Sequence, residues 1–271
     1  MRLPPVFLVL ISLVTPALGQ LRDNRDAQLS CNDSNRDGRR ACEMQERTIG
    51  PSATLDILPG RNGGVSVKGW AQNNVLVRAR LEASAESDAE ARTLLSQVRF
   101  DAGGGQIRGT GPDFDQNWLG GRDRSWAVSF EVFVPWDINL KVESHNGGIT
   151  VSDVRGRLEV ETHNGGLQLT RVSADISGST HNGAIQVQLE GDSRNVRQVD
   201  LSTHNGAVTL SLPGTFSASV EARSDRGRLE SDFPVVSRGQ INDRNVSFNI
   251  GAGGPLIKVS THNGGIRIRR M

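Results

Sequence analysis

The tetrad Ser/Thr-His-Asn-Gly occurs five times in this chain, at residues 144–147, 162–165, 180–183, 203–206 and 261–264, and takes up all five histidines. The histidines stand at 145, 163, 181, 204 and 262, so the first three copies repeat every 18 residues and the later two carry insertions. A repeat this short is smaller than any domain. A unit that cannot bury its own apolar face has to stack on its neighbours.

The flanks recur with the turn. Five and three residues before each histidine stand the pairs Leu140/Val142, Leu158/Val160, Ile176/Gly178, Val199/Leu201 and Ile257/Val259. Four and six residues after it stand Ile149/Val151, Leu167/Leu169, Ile185/Val187, Val208/Leu210 and Ile266/Ile268. This alternation has period two, the signature of a strand on each side of the turn. A worn sixth copy runs Ser224-Asp225-Arg226-Gly227, with Val220 and Leu229 in the same columns, and Asn62-Gly63-Gly64-Val65-Ser66-Val67 reads as a seventh near the front.

Two architectures fit such a unit. Asn-Gly between alternating runs signals a type I′ hairpin, which would give an antiparallel meander. Near-identical turns in every copy are not needed by separate hairpins, but they are useful where coils stack about 4.8 Å apart and like residues lie over like. Val154 and Val172, each four residues before Leu158 and Ile176, give a second corner the same spacing. The favoured reading is therefore all-β: a parallel β-solenoid with two-sheet coils of about 18–23 residues and one short helix.

Within that reading the turn residues have separate roles. Gly147, Gly165, Gly183, Gly206 and Gly264 are expected to supply a positive φ. Asn146, Asn164, Asn182, Asn205 and Asn263 are expected to exchange amide hydrogen bonds along the stack and to satisfy corner backbone groups. The preceding Ser or Thr shares the parity of the apolar columns and points inward, so the histidine points outward.

Residues 1–19 read as a secretory signal peptide, with Arg2, the apolar run Val6–Val14 and a small-residue end at Ala17-Leu18-Gly19. That run is shorter than the ~20 residues of a membrane span, and no later stretch reaches that length. Residues 20–48 are polar and hold the only cysteines, Cys31 and Cys42, whose expected disulfide suits an oxidising compartment. Residues 49–140 form the front of the β domain and residues 141–271 the repeat array. The protein is thus expected to be exported, periplasmic or extracellular. With 31 basic and 30 acidic residues interspersed, nothing marks a nucleic-acid or anionic-membrane partner.

In the front region Val75–Leu81 alternates as a strand. Ser87-Asp88-Ala89-Glu90 is a capping box opening a helix whose Ala91, Leu94, Leu95 and Val98 form one face. That face is expected to cover an open end or face of the sheets. The glycine-rich stretch Asp101–Gly111 and the segment Pro112–Arg124 read as loops, and Trp126–Val134 returns to strand. Gly103-Gly104-Gly105 lacks the Lys-Ser/Thr and the following helix of a phosphate loop.

The apolar leader, the stretch Val65-Ser66-Val67-Lys68-Gly69-Trp70, the strand ending in Val134-Pro135 and the serial His-Asn-Gly turns together resemble a bacterial β-strand-repeat family of unknown function, described as adhesin-like. The resemblance covers roughly residues 49–271. It implies an exported solenoid and surface adhesion, and it implies no catalytic residues.

Stacking in register would align His145, His163, His181 and His204 as an exposed column, a candidate site for Zn²⁺, Ni²⁺ or Cu²⁺ or a surface responsive to pH. Glu143, Glu159 and Glu161 face outward beside it, but exposed carboxylates with nothing to raise their pKa are poor acids. All five histidines occupy equivalent turns, and none is singled out for catalysis. The expectation is a non-enzymatic, cofactor-free binding or structural module of the cell envelope that contacts a polymer or protein surface. The metal- or pH-responsive column is the second reading and a polysaccharide-active enzyme the third.

Overall fold

The computed structural model describes residues 29–31, 39–113, 124–234, 236–237 and 245–271. The expected signal peptide, most of the polar segment that follows it, and most of the expected Pro112–Arg124 loop, with Trp118, lie outside the described residues. In chain order the elements are β1 (Arg40–Ile49), β2 (Thr54–Leu58), β3 (Val65–Trp70), β4 (Val75–Ser84), α1 (Asp88–Leu95), β5 (Arg99–Gly103), β6 (Gln106–Thr110) and β7 (Ser125–Pro135). The repeats follow as β8 (Asn139–Asn146), β9 (Ile149–Ser152), β10 (Arg155–Asn164), β11 (Leu167–Asn182), β12 (Ile185–Leu189), β13 (Gln198–Asn205) and β14 (Val208–Leu212). The chain closes with β15 (Ala218–Arg226), β16 (Leu229–Ser231), β17 (Val236–Ser237), β18 (Asn245–Ile250), β19 (Leu256–Asn263) and β20 (Ile266–Arg270).

Strands that lead into the turns pair in parallel in the order β2, β8, β10, β11, β13, β19, β15. Strands that trail the turns pair in parallel as β3, β9, β11, β12, β14, β20, β16. The long β11 trails one turn and leads into the next, bending at Arg171, so the two ladders are one continuous sheet. Leu158, Val160, Leu167, Leu169 and their counterparts in the other His-Asn-Gly coils are almost wholly buried in a single core between the ladders, while in the end coil Leu229 is only partly buried. Each such side chain contributes roughly 1.5–3 kcal/mol on burial.

The sheet is mixed, which corrects the expectation of a parallel solenoid throughout. At the front β7 pairs parallel with β3 but antiparallel with β4, which pairs antiparallel with β1. β5 and β6 form an antiparallel hairpin beside β2, and at the far end β15, β18 and β17 pair antiparallel. The physical reason is that an end coil has no further coil to pair with, and folded-back strands satisfy the open ladder. The glycine-rich stretch Asp101–Gly111 is accordingly a hairpin rather than a loop. Its turn uses Gly104 and Gly105 at φ of 59° and 78°, the left-handed conformation that a two-residue hairpin demands.

The helix begins where the capping box places it, with the Ser87 hydroxyl accepting from the Glu90 N–H at 3.3 Å. Ala91 and Leu94 are buried, and Ala91 packs with Ala41 of β1 and with Ala85. Beside it Cys31 and Cys42 are joined by a disulfide, which ties the preceding segment to β1.

The turn glycines require a second correction. Gly147, Gly165, Gly183, Gly206 and Gly264 do not have positive φ; in the front copy Gly63 does, at 139°. They are glycine because the coils touch there. A Cβ on Gly147, Gly165, Gly183, Gly206 or Gly264 would lie 2.2, 2.3, 2.0, 1.9 or 1.9 Å from the carbonyl oxygen of the glycine in the adjoining coil. The next residue has no such constraint and varies, being Gly148, Gly166, Ala184, Ala207 and Gly265. Gly165→Ala should therefore cost about 3 kcal/mol or more in urea unfolding. Gly148→Ala, whose Cβ would lie 3.4 Å from the nearest atom, should cost less than about 1 kcal/mol.

Candidate functional site

The repeated turn is the place where five coils present the same polar residues. Three hydrogen-bonded or stacked files run through it, parallel to the stack.

The innermost file is made of hydroxyls. Ser144, Thr162, Thr180, Thr203, Thr261 and Ser224 are buried. Each donates to a glycine carbonyl of the adjoining coil, on Gly63, Gly147, Gly165, Gly183, Gly206 and Gly264, at 2.8–3.0 Å. A buried carbonyl left unpaired costs about 1–3 kcal/mol, which is why an inward polar residue is tolerated at the rim of an aliphatic core.

The second file is an amide ladder. Asn146 donates through Nδ2 to Oδ1 of Asn62 at 2.9 Å, Asn164 to Asn146 and Asn182 to Asn164 at 2.8 Å, and Asn205 to Asn182 and Asn263 to Asn205 at 2.7 Å. At one end Asn62 donates to the Trp126 carbonyl at 3.1 Å, and at the other Arg226 donates to Asn263 at 3.3 Å. The amides bond to one another rather than to corner backbone. The backbone pairs with itself across coils, as Gly147 N–H does with the Asn164 carbonyl at 2.9 Å.

The outermost file is aromatic. The rings of His145, His163, His181, His204 and His262 are stacked at centroid distances of 4.9, 4.8, 4.8 and 4.7 Å, with interplanar angles of 6°, 3°, 3° and 11°. The first four are exposed and His262 is half-buried. Nδ1 of His262 meets a carboxylate oxygen of Asp225 at 2.8 Å. That hydrogen bond first, and a second from Arg223, hold the Asp225 carboxyl below its ordinary pKa.

This geometry bears on the chemistry expected of the column. The nitrogen lone pairs lie in the ring planes, so parallel rings send them side by side and no two converge on one ion. Among the described residues no group of three or more His, Cys, Asp or Glu stands together as a ligand set. Protonating two neighbours would place like charges one ring spacing apart, a repulsion of about 1 kcal/mol even in water.

The sequence placed Glu143, Glu159 and Glu161 outward, as they are, but did not single out the outward face of the trailing ladder. Beside the leading strands Lys141, Glu143, Glu159, Glu161 and Asp200 make a charged surface, on which Glu143 is bridged by Lys141 at 2.8 Å. The trailing ladder instead shows Thr150, Gln168, Gln186 and Thr209 in one outward row and Ser152, Thr170, Gln188 and Ser211 in the next. Eight uncharged side chains over four successive coils were legible as the positions between the apolar columns, but only the strand register shows them side by side.

Comparison with known proteins follows the same stretch of chain. A "putative cell adhesion protein" from Clostridium sporogenes is 11% identical over 85% of this chain and 100% of its own, with a TM-score of 0.46. A "putative adhesin" from Bacteroides fragilis is 10% identical over 84% of this chain and 97% of its own, with a TM-score of 0.43. No curated protein matches. The Toastrack DUF4097 family model matches residues 64–269, from the first worn turn through the last ladder strand, and the chain belongs to that family.

Proposed function

We propose that this protein is an exported, non-enzymatic binding module of the cell envelope, and that it holds an extended polymer against the outward face of its trailing ladder. The observation that carries the reading is the pair of uncharged Ser/Thr/Gln rows on four coils, of which Thr150, Gln168, Gln186 and Thr209 pair in unbroken parallel register. Amides and hydroxyls both donate and accept. Set at a strand spacing of about 4.8 Å on a short solenoid-like middle section, they suit a ligand whose own polar groups repeat. The Cys31–Cys42 disulfide supports an oxidising compartment, and among the described residues no helix is long and apolar enough to cross a membrane.

Sedimentation of the purified protein with envelope polysaccharide, peptidoglycan and whole cells tests this reading. Saturable retention without soluble sugar products is expected, and replacing Gln168 and Gln186 by Glu should reduce it several-fold. Absence of retention on all three, or release of reducing ends, would overturn it.

The histidine file supports a second reading, in which acidification regulates the same module. Exposed imidazoles gather in one line, so protonating them would load one edge with like charge. Retention at pH 7.5 and pH 5.0 should differ for the wild type and differ less for His163→Asn/His181→Asn. Equal retention at both pH values would exclude this regulation.

A further inference from the structure

Opposite the histidine turns, the second corners line up into an open groove of about 790 Å³ crossing four successive coils. Its walls carry Trp136, Asp137, Asp153, Arg155, Arg171 and Glu190. Trp136 is 45% exposed and is the only exposed tryptophan or phenylalanine among the described residues. Its position is built rather than incidental. A Cβ on Gly69 would lie 2.9 Å from Trp136 Cδ1 and 1.9 Å from the Asp153 carbonyl oxygen, so the indole rests on a strand position that only glycine leaves open. The Trp136 carbonyl accepts from the Arg155 N–H at 2.7 Å, which fixes the backbone beneath the ring.

The facing polar groups are also held in place. Arg171 grips Asp153 with two hydrogen bonds of 2.6 and 2.7 Å, a forked pairing that orients both planes. Both residues adopt left-handed backbone, at φ of 60° for Asp153 and 52° for Arg171, a conformation uncommon away from glycine. The Arg171 hydrogen bond holds the Asp153 carboxyl below its ordinary pKa.

We propose that this groove is a saccharide-binding subsite in which Trp136 stacks on the C–H face of a pyranose ring and the corner side chains take its hydroxyls. A sugar ring is apolar on its faces and polar around its rim. An aromatic face with its negative quadrupole meets the first need, and carboxylates and guanidinium groups meet the second. The three acidic and two basic groups on the walls nearly cancel, which selects a neutral saccharide over a polyanion. The groove begins where Ser152 ends the uncharged face, so one chain could run from one to the other. The inference rests on the polymer-binding reading and names the ligand class for it.

Calorimetric titration of the full chain with neutral oligosaccharides (cello-, malto-, xylo- and chito-oligosaccharides), beside sedimentation with the envelope fractions, tests it. Wild-type protein should bind at least one neutral series. Trp136→Ala should weaken that binding about tenfold, equivalent to ~1.4 kcal/mol, while Trp136→Phe, which keeps a stacking face, should stay within about threefold. Glu190→Gln on the other wall, distant from the indole's packing, should weaken binding as well and guards against a folding defect in the alanine variant. If the wild type sediments with envelope material but Trp136→Ala and Glu190→Gln sediment equally well, the subsite is wrong and the polymer-binding reading stands. If the wild type binds no neutral saccharide, the subsite is wrong whatever the sedimentation shows.

Discussion

Every turn in the array depends on the approach of one glycine carbonyl to the place where the adjoining coil's side chain would begin. With gaps of 1.9–2.3 Å between that oxygen and an imagined Cβ, any residue but glycine would wedge the coils apart. The contact fixes register, because only turn over turn satisfies it. Register then places the hydroxyls of Thr162 and Thr180 on the carbonyls of Gly147 and Gly165, the asparagine amides in line, the histidine rings in a stack and the aliphatic columns in one core. A slip of one residue would turn the whole aliphatic set outward.

Much of this was legible in the residue pattern. The period-two columns gave the strands, the equal spacing of Val154 and Val172 gave the second corner, and Ser87 with Glu90 gave the helix start. The reason for glycine was not, since a turn that needs positive φ and a turn that needs close approach both read as Asn-Gly. The order of the last coils was hidden for a related reason. β15 follows β13 in the chain, yet β19 lies between them, with Ser260 paired to Ser202 on one side and Arg223 on the other. Both late copies carry apolar residues in the first three columns, Val220, Ala222 and Leu229 in one and Ile257, Val259 and Ile266 in the other. They differ in the ladder, because Asn263 can donate to Asn205 and also accept from Arg226, whereas a guanidinium has no acceptor with which to receive a further amide. The copy bearing Arg226 can therefore only end the file, and Asp225 is placed where it meets His262.

Stacking also separates the surface into parts with different chemistry. One outward face carries Lys, Glu and Asp, one is uncharged over four middle coils and rich in amides and hydroxyls, one edge is a file of imidazoles and the opposite edge is a groove with an exposed indole. These follow from a short list of positions repeated at strand spacing, so a substitution in a single coil changes one rung of a surface rather than the surface itself. The antiparallel strands at either end protect the stack from adding further copies, with β16 kept to three residues at the margin of its ladder.

The central claim, an in-register stack with the last coil seated inside it, is tested most directly by disulfide trapping of outward residues. Neighbouring parallel strands lie about 4.8 Å apart, within the range a disulfide spans, and strands two apart lie at about 9.6 Å, beyond it. Ser202→Cys with Ser260→Cys should cross-link on mild oxidation, as mapped by non-reducing peptide analysis, while Ser202→Cys with Arg223→Cys should not. Cross-linking of the second pair in place of the first would put the coils in chain order and contradict the arrangement described.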